Sequence, residues 1–356
     1  MDEKLEKQIK ELKKVEIHLH LDGSLRPETV LQWIIEEEDY KALGFKNNES
    51  FLNADRNELL IKTQKALMVK ENCRDLNEYL EKFDLPCREL QTENHITQAT
   101  YELFEDLSKQ NVIYAEVRFA PSKHRKKGLD YDKIVEAAIK GMNIAKEKCH
   151  IGGSLILCAM RGDNTEDNLK TIEVAKRFLG KGVSAVDLAG AEALFPTSDY
   201  EYIFKEASNL NIPFTIHAGE AAGVESIKKA LDFGAKRIGH GIRCLEDSAL
   251  VDYLVKNNII LEVCPISNLQ TKASGENHPI EELYRKGLKV TVNTDNNTVS
   301  NTDIINEYRW ILEQTKLNLN DLKQMNINAV MGLFNISEQE KERLIKEIKE
   351  KPMETA

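Results

Sequence analysis

Eight short apolar runs recur along the chain, and segments of helical periodicity separate most of them. They are Val15–Leu21, Val112–Phe119, Leu155–Met160, Val183–Leu188, Pro213–Ile216, Arg237–Gly239, Ile259–Val263 and Leu288–Val292. Helical patterns at Tyr131–Lys146, Asn168–Phe178, Tyr200–Ala207 and Glu225–Leu231 lie between the later runs. Parallel strands need a crossover of a dozen or more residues, usually a helix, so this alternation predicts a parallel sheet in an α/β protein. Eight units favour a closed (β/α)8 TIM-type barrel over an open doubly wound sheet. No G-x-G-x-x-G follows any run, which also speaks against a dinucleotide fold.

The interval between the first and second runs breaks the pattern. Pro27–Glu37, the stretch around Leu59–Val69, Asp75–Phe83 and Glu93–Leu107 all read as helix, with no strand among them. Residues 22–110 are therefore expected to form a helical insertion, or lid, over one face of the barrel. Leu5, Ile9 and Leu12 predict a helix before the first strand, and the chain from Ser300 onward is helical. Its charged end, Glu338–Lys351, reads as a solvated terminal helix. A length of 356 residues would also suit two domains, but barrels of about 250 residues or more are routinely one. The expectation is a single barrel domain over 1–356, with extra terminal helices.

Composition narrows the partners. With 49 Lys plus Arg against 59 Asp plus Glu, the net charge is −10, which disfavours nucleic acid and anionic membrane surfaces. No window approaches ~18 consecutive apolar residues, and the start, Met1-Asp2-Glu3-Lys4, lacks the apolar core of a signal peptide, so a cytoplasmic location is expected. Cys73, Cys87, Cys149, Cys158, Cys244 and Cys264 form no C-x-x-C pair and read as reduced thiols. The oligomeric state is left open.

His18 and His20 are two apart on the first strand, so both imidazoles share a face and form a ready bidentate metal site. His217 closes the fifth run with Glu220 three residues on, His240 ends the sixth, and Asp295 follows the eighth. Each alone is an ordinary polar residue. Together they set six ionisable groups at the C-terminal ends of four strands, which is the working face of a barrel. Three His nitrogens and a carboxylate suit Zn²⁺ with an added water acidified to a pKa near ~7. Glu220, protonated in an enclosed site, would donate a proton to nitrogen, while His240 would hold or help deprotonate the water. His95, His124, His150 and His278 end no predicted strand and receive no role. The basic loop Lys123–Lys127 reads as a solvated connection, leaving the strand ends without a basic cluster.

These motifs resemble the adenosine deaminase family over most of the chain. The resemblance is carried by His18-Leu19-His20-Leu21-Asp22-Gly23-Ser24, Asp187-Leu188-Ala189-Gly190, Thr215-Ile216-His217-Ala218-Gly219-Glu220, Gly239-His240-Gly241, Cys264-Pro265-Ile266-Ser267 and Asn293-Thr294-Asp295. It implies one zinc held by His18, His20, His217 and Asp295, hydroxide attack at purine C6, and protonation of N1 by Glu220. It further implies that Asp22 binds the ribose 5′-hydroxyl, that the Gly190 N–H contacts purine N3, and that Asp187 and Ser267 lie close to His240. Leu76, Tyr79, Leu80 and Phe83 match a gate helix, and their spacing also puts them on one helical face.

The chain departs from the family at Asn296, where an Asp commonly contacts purine N7, at Asn297 instead of proline, and at Ile266 instead of a bulkier aromatic residue. Purine N7 accepts a hydrogen bond. An Asn amide donates to it without any change of protonation, so purine recognition is preserved.

The implied activity is hydrolytic deamination of adenosine and 2′-deoxyadenosine, small purine nucleosides, in purine salvage. Deamination of adenine or an adenine nucleotide on the same scaffold is the near alternative. Asp22 opposes a 5′-phosphate by like charge, and free adenine would leave it without a partner. A non-catalytic purine-binding relative should have lost a ligand or Glu220, and all are present. A two-metal hydrolase lacks its bridging lysine on the fourth run, and the cytidine-type deaminase signature is absent.

Overall fold

The computed structural model describes residues 3–350 apart from residue 276. Eight strands form at the predicted runs: β1 (Lys14–His20), β2 (Val112–Phe119), β3 (Gly152–Met160), β4 (Val183–Ala189), β5 (Thr215–Ala218), β6 (Arg237–His240), β7 (Ile260–Val263) and β8 (Lys289–Val292). The largest shifts are at β3 and β5. β3 starts three residues early, because Gly152, Gly153 and Ser154 pair with β2 despite carrying no β-branched signal. β5 includes His217 within the strand instead of ending before it.

All adjacent strands pair in parallel, in two four-stranded sheets of order β1-β2-β3-β4 and β5-β6-β7-β8. Two bridges, Val186 with Phe214 and Leu19 with Asp295, join them. At the second seam the His20 N–H donates to the Asp295 carbonyl at 2.7 Å and the Asp295 N–H to the His18 carbonyl at 3.0 Å. The ring of eight is thereby closed, as the alternation of runs predicts.

Helix α1 (Glu3–Glu11) precedes the barrel. Between β1 and β2 lie α2 (Pro27–Glu36), α3 (Asn48–Leu52), α4 (Arg56–Leu67), α5 (Leu76–Leu80), α6 (Asp84–Glu89) and α7 (Glu93–Lys109). The expected Asp75–Phe83 helix is shorter than its pattern suggests: α5 passes into a tight turn over Glu81–Phe83. After β2 to β6 come α8 (Tyr131–Cys149), α9 (Thr165–Phe178), α10 (Glu201–Asn209), α11 (Val224–Asp232) and α12 (Ser248–Lys256). α13 (Pro265–Gln270) and α14 (Ile280–Arg285) follow β7, and α15 (Ile304–Gln314), α16 (Leu319–Gly332) and α17 (Glu338–Lys349) follow β8. Several starts are set by short polar caps. Thr92, Asp130, Asn164 and Asp303 each accept from the backbone N–H three residues on, satisfying a donor that the helix itself cannot.

Apolar strand faces and helix stripes meet in one large core between the ring and its helices. The other strand face, inside the ring, is charged in its lower part. Arg118 donates to Asp187 and Glu262 at 2.9 and 2.8 Å, and Arg237 donates to Glu262 at 2.6 Å and to Glu116. Isolated buried charges would be prohibitive, so each is paired and held by further hydrogen bonds.

The charged tail corrects its expectation. Leu344 and Ile348 of α17 are buried against Val15, Ile17, Ala329 and Val330, so the helix covers apolar surface near the start of β1 instead of standing free in solvent. The ends of the expected domain, residues 1–2 and 351–356, lie outside the described residues.

Candidate active site

The shared face of His18 and His20 turns toward β5 and the β8 end. His18 Nδ1 lies 2.7 Å from Glu262 Oε2, so its ring proton faces that carboxylate and leaves the Nε2 lone pair free. That Nε2 is buried with no hydrogen-bond partner and sits 3.3 Å from Asp295 Oδ1. His20 Nε2 is 3.4 Å from the same oxygen and 3.2 Å from His217 Nε2. His217 Nδ1 is 2.9 Å from Asp187 Oδ2, close in distance although off the line of a hydrogen bond.

Two facing ring nitrogens this close repel each other unless a proton or a cation lies between. Zinc bonds of ~2.0–2.1 Å in a tetrahedron give ligand separations of about 3.3 Å. The three separations fit that donor set. His18, His217, His240 and Asp295 also bring ligand atoms within 4.8 Å of one another, so a fifth residue borders the same point. Both His240 and Asp295 hold a φ of 62°, left-handed backbone that non-glycine residues adopt at a cost of roughly 1–3 kcal/mol, and one commonly found at functional sites.

Glu220 follows β5 and is buried. Thr271 Oγ1 donates to its Oε1 at 3.2 Å, and its Oε2 lies 3.4 Å from His240 Nε2. Burial, reinforced by the charges of Asp295 and Glu192, holds this carboxyl well above its ordinary value, which favours its protonated form. Burial, and then neighbouring His18, push His240 well below the usual imidazole range.

The backbone carrying Glu220 is clamped by Glu192. One oxygen of Glu192 accepts from Gly219 N–H at 2.7 Å and from Ser226. The other accepts from the N–H groups of Glu220, Ala221 and Ala222 at 2.7–3.0 Å.

A cavity of about 480 Å³ opens above the cluster. Its lining includes His20, Asp22, Gly190, His217, Glu220, His240, Asp295 and Asn296, with Leu76, Tyr79, Leu80 and Phe83 along the insertion side. Tyr79 Oη is 2.6 Å from Ser300 Oγ, tying the insertion to the loop after β8. Asn296 Oδ1 is buried without a partner, and a Cβ on Gly23 would fall 1.7 Å from it. Only glycine lets the β1 loop approach this amide so closely. Burial raises the Asp22 carboxyl to about 7.

One expectation changes here, that of the basic loop, and two residues expected near His240 are given their partners. The hydrogen bonds of Ser267 and the polar contacts of Asp187 go elsewhere than to His240: Ser267 Oγ donates to Asp295 Oδ2 at 2.6 Å, while Asp187 faces His217 and Arg118. The partner on His240 is Asn268, with Nδ2 3.0 Å from Nδ1. The basic loop is not merely solvated, because His124 is buried and Lys123 and Lys126 line the cavity, with Lys123 paired to Asp163.

Glu192, Glu262, Arg118, Asn268 and Thr271 were missed in the sequence. A charge inside an apolar strand run, as in Val117-Arg118-Phe119 or Leu261-Glu262-Val263, was a usable sign for two of them. The other three carried no local signal.

The adenosine deaminase family model matches residues 13–351. The chain is 40% identical to the adenosine deaminase of Haemophilus ducreyi over 344 residues, 95% of this chain and 96% of that one. It is 39% identical to the adenosine deaminase of Clostridium kluyveri over 333 residues, 93% and 92% of the two chains. Among solved structures, the N6-methyl-AMP deaminase of Arabidopsis thaliana superposes with a TM-score of 0.80 at 26% identity, over 96% of this chain and 98% of that one. An adenine deaminase from Arthrobacter aurescens superposes at 0.81 with 24% identity, over 95% and 98%, a likeness of fold. By sequence over nearly its whole length, this chain belongs to the adenosine deaminase family.

Proposed function

We propose that the chain hydrolyses adenosine and 2′-deoxyadenosine to inosine and 2′-deoxyinosine with release of ammonia, using one zinc ion held by His18, His20, His217 and Asp295. The observation that carries this reading is a buried Glu220 carboxyl in the same cavity as a three-histidine, one-carboxylate donor set. When bound, the zinc supplies an acidified water as nucleophile.

The protein's own groups do the rest. Glu220 gives its proton to purine N1, which makes C6 electrophilic. The Asn296 amide donates to N7 and the Gly190 N–H to N3, fixing the ring over the cluster. Asp22 accepts from the ribose 5′-hydroxyl. Residues 22–110 act as a lid within a single domain, with Leu76, Tyr79, Leu80 and Phe83 excluding bulk water from the reacting atoms. The setting is cytoplasmic, where free cysteines such as the six here stay reduced. No helix among the described residues is long and apolar enough to cross a membrane.

A second reading, an adenine nucleotide as substrate, gains from Lys123 and Lys126 in the cavity wall. Lys123 is already paired with Asp163, however, and Asp22 shares that wall. Zinc-analysed protein should lower the adenosine absorbance band when given adenosine or 2′-deoxyadenosine, and far more slowly with adenine, AMP or N6-methyl-AMP. Conversion of AMP or N6-methyl-AMP with adenosine left intact would replace the first reading by the second.

A further inference from the structure

His240 and His278 are linked through one side chain. Asn268 Nδ2 lies 3.0 Å from His240 Nδ1, and Asn268 Oδ1 lies 3.2 Å from His278 Nε2, with all three residues buried. Beyond them, His278 Nδ1 accepts from the backbone N–H of Ile280 at 3.2 Å. Trp310 packs edge-on against the His278 ring.

This chain has one consistent placement of protons. A ring nitrogen that accepts from an N–H carries no proton, so His278 holds its proton on Nε2. That N–H needs an acceptor, and the Asn268 oxygen provides it. The amide NH2 is then turned to His240, and because it can only donate, His240 Nδ1 is bare. The one ring proton of His240 therefore sits on Nε2, the nitrogen that faces Glu220 across 3.4 Å. A flipped amide would set its NH2 against the Nε2–H of His278, two donors with no acceptor between them. A doubly protonated ring at either histidine meets the same conflict. Burial, which pushes His278 down to about 3, agrees with the neutral form.

We propose that His278, acting through Asn268, locks His240 in the Nε2–H tautomer, so that His240 meets the attacking oxygen as a hydrogen-bond donor and not as a base. His278 and Asn268 are positioning residues, and the inference rests on the reading above only in placing that oxygen beside His240. The oxygen's remaining proton then has Glu220 as acceptor, since Glu220 is ionised once its own proton has gone to purine N1. Glu220 then passes that proton to the departing amine, which leaves as ammonia, and the next water to enter returns a proton to Glu220, so the cycle balances.

Zinc-loaded, full-length protein labelled with ¹⁵N-histidine tests this directly. A long-range ¹H–¹⁵N spectrum, assigned for His240 by its loss in His240→Gln, should show Nε2 protonated and Nδ1 bare. An Nδ1–H ring at His240 in the unmutated protein overturns the proposal without recourse to any other variant. Asn268→Asp offers a carboxylate that accepts from both rings, so it should move the His240 proton to Nδ1. With it, kcat should fall roughly a hundredfold or more while KM and zinc content stay close to the parent's, as expected of a misplaced imidazole proton. An unchanged tautomer with full kcat in that variant would equally overturn it. An Nε2–H ring in a protein inactive on adenosine would sink the proposed substrate and leave the tautomer standing.

Discussion

The first four strands, seven to nine residues each, and the last four, of four residues each, build different parts of one site. The long half supplies His18 and His20 from β1 and, below them, the cation Arg118 and the anion Asp187 that steady the floor. The short half supplies His217 within β5, His240 as the last residue of β6, and Glu220 and Asp295 just past β5 and β8. Short strands release the backbone early: His240 at the last position of β6 and Asp295 beyond β8 take left-handed conformations, and Glu192 grips four successive N–H groups from Gly219 to Ala222. Long pairing gives a rigid platform, and early termination gives freedom to aim. The halves meet at the Leu19–Asp295 seam, where the proposed metal ligands from both converge.

The largest effect that would test this division is at Glu220. Glu220→Gln keeps the shape of the short half but removes the proposed proton donor, and kcat should fall roughly a thousandfold with zinc content unchanged. Full activity in that variant would end the assignment of aiming and proton supply to this half.

Next comes a residue that crosses the division. Glu262 on β7 receives the His18 proton and also holds Arg118 and Arg237. Glu262→Gln should weaken zinc binding about 10–100-fold in a chelator competition. An unchanged affinity would mean that the long half orients His18 unaided.

The smallest effect on kcat, none at all, is expected at the opposite end of the barrel. Lys14 opens β1, is buried, and donates to the carbonyls of Leu12 and Gln110 at 2.7 and 3.0 Å. Burial lowers it to about 7 from an unfolded value near 10.5. Between those values the unfolded chain binds the proton and the folded one does not. Raising the pH from about 7 to 10.5 therefore favours folding at this position, while below about 7 the burial cost is fully present. Relative to Lys14→Met, the parent should gain stability across that window in denaturant titrations, with kcat the same in both. A parallel pH response in the two proteins would remove Lys14 from the account, and a change in kcat would blur the separation of floor from mouth.

Much of the platform was legible in the sequence. A strand buried on both faces reads as a continuous apolar run, and His-x-His on such a run shares a face by the period of two alone. The aiming half was legible only as residue types. Nothing around Glu192 marks its partners, because they are backbone N–H groups 27 to 30 residues away. Asn268 and His278 are ordinary in composition, and their meaning lies in a bond to His240 across 28 residues and in the direction of one N–H at Ile280. The basic loop and α17 misled for a related reason. A charged pattern shows which residues prefer water, but not which apolar neighbours they shelter.

By itself the sequence determined the eight-fold alternation, the helical insertion and the residues proposed to hold a metal and deliver a proton, because periodicity and side-chain chemistry are local properties. The tertiary structure decided which carboxylate orients which histidine, what clamps the Glu220 loop, and which nitrogen of His240 carries its proton. Those depend on distances and hydrogen-bond directions between groups far apart in the chain, and only closure of the ring brings them together.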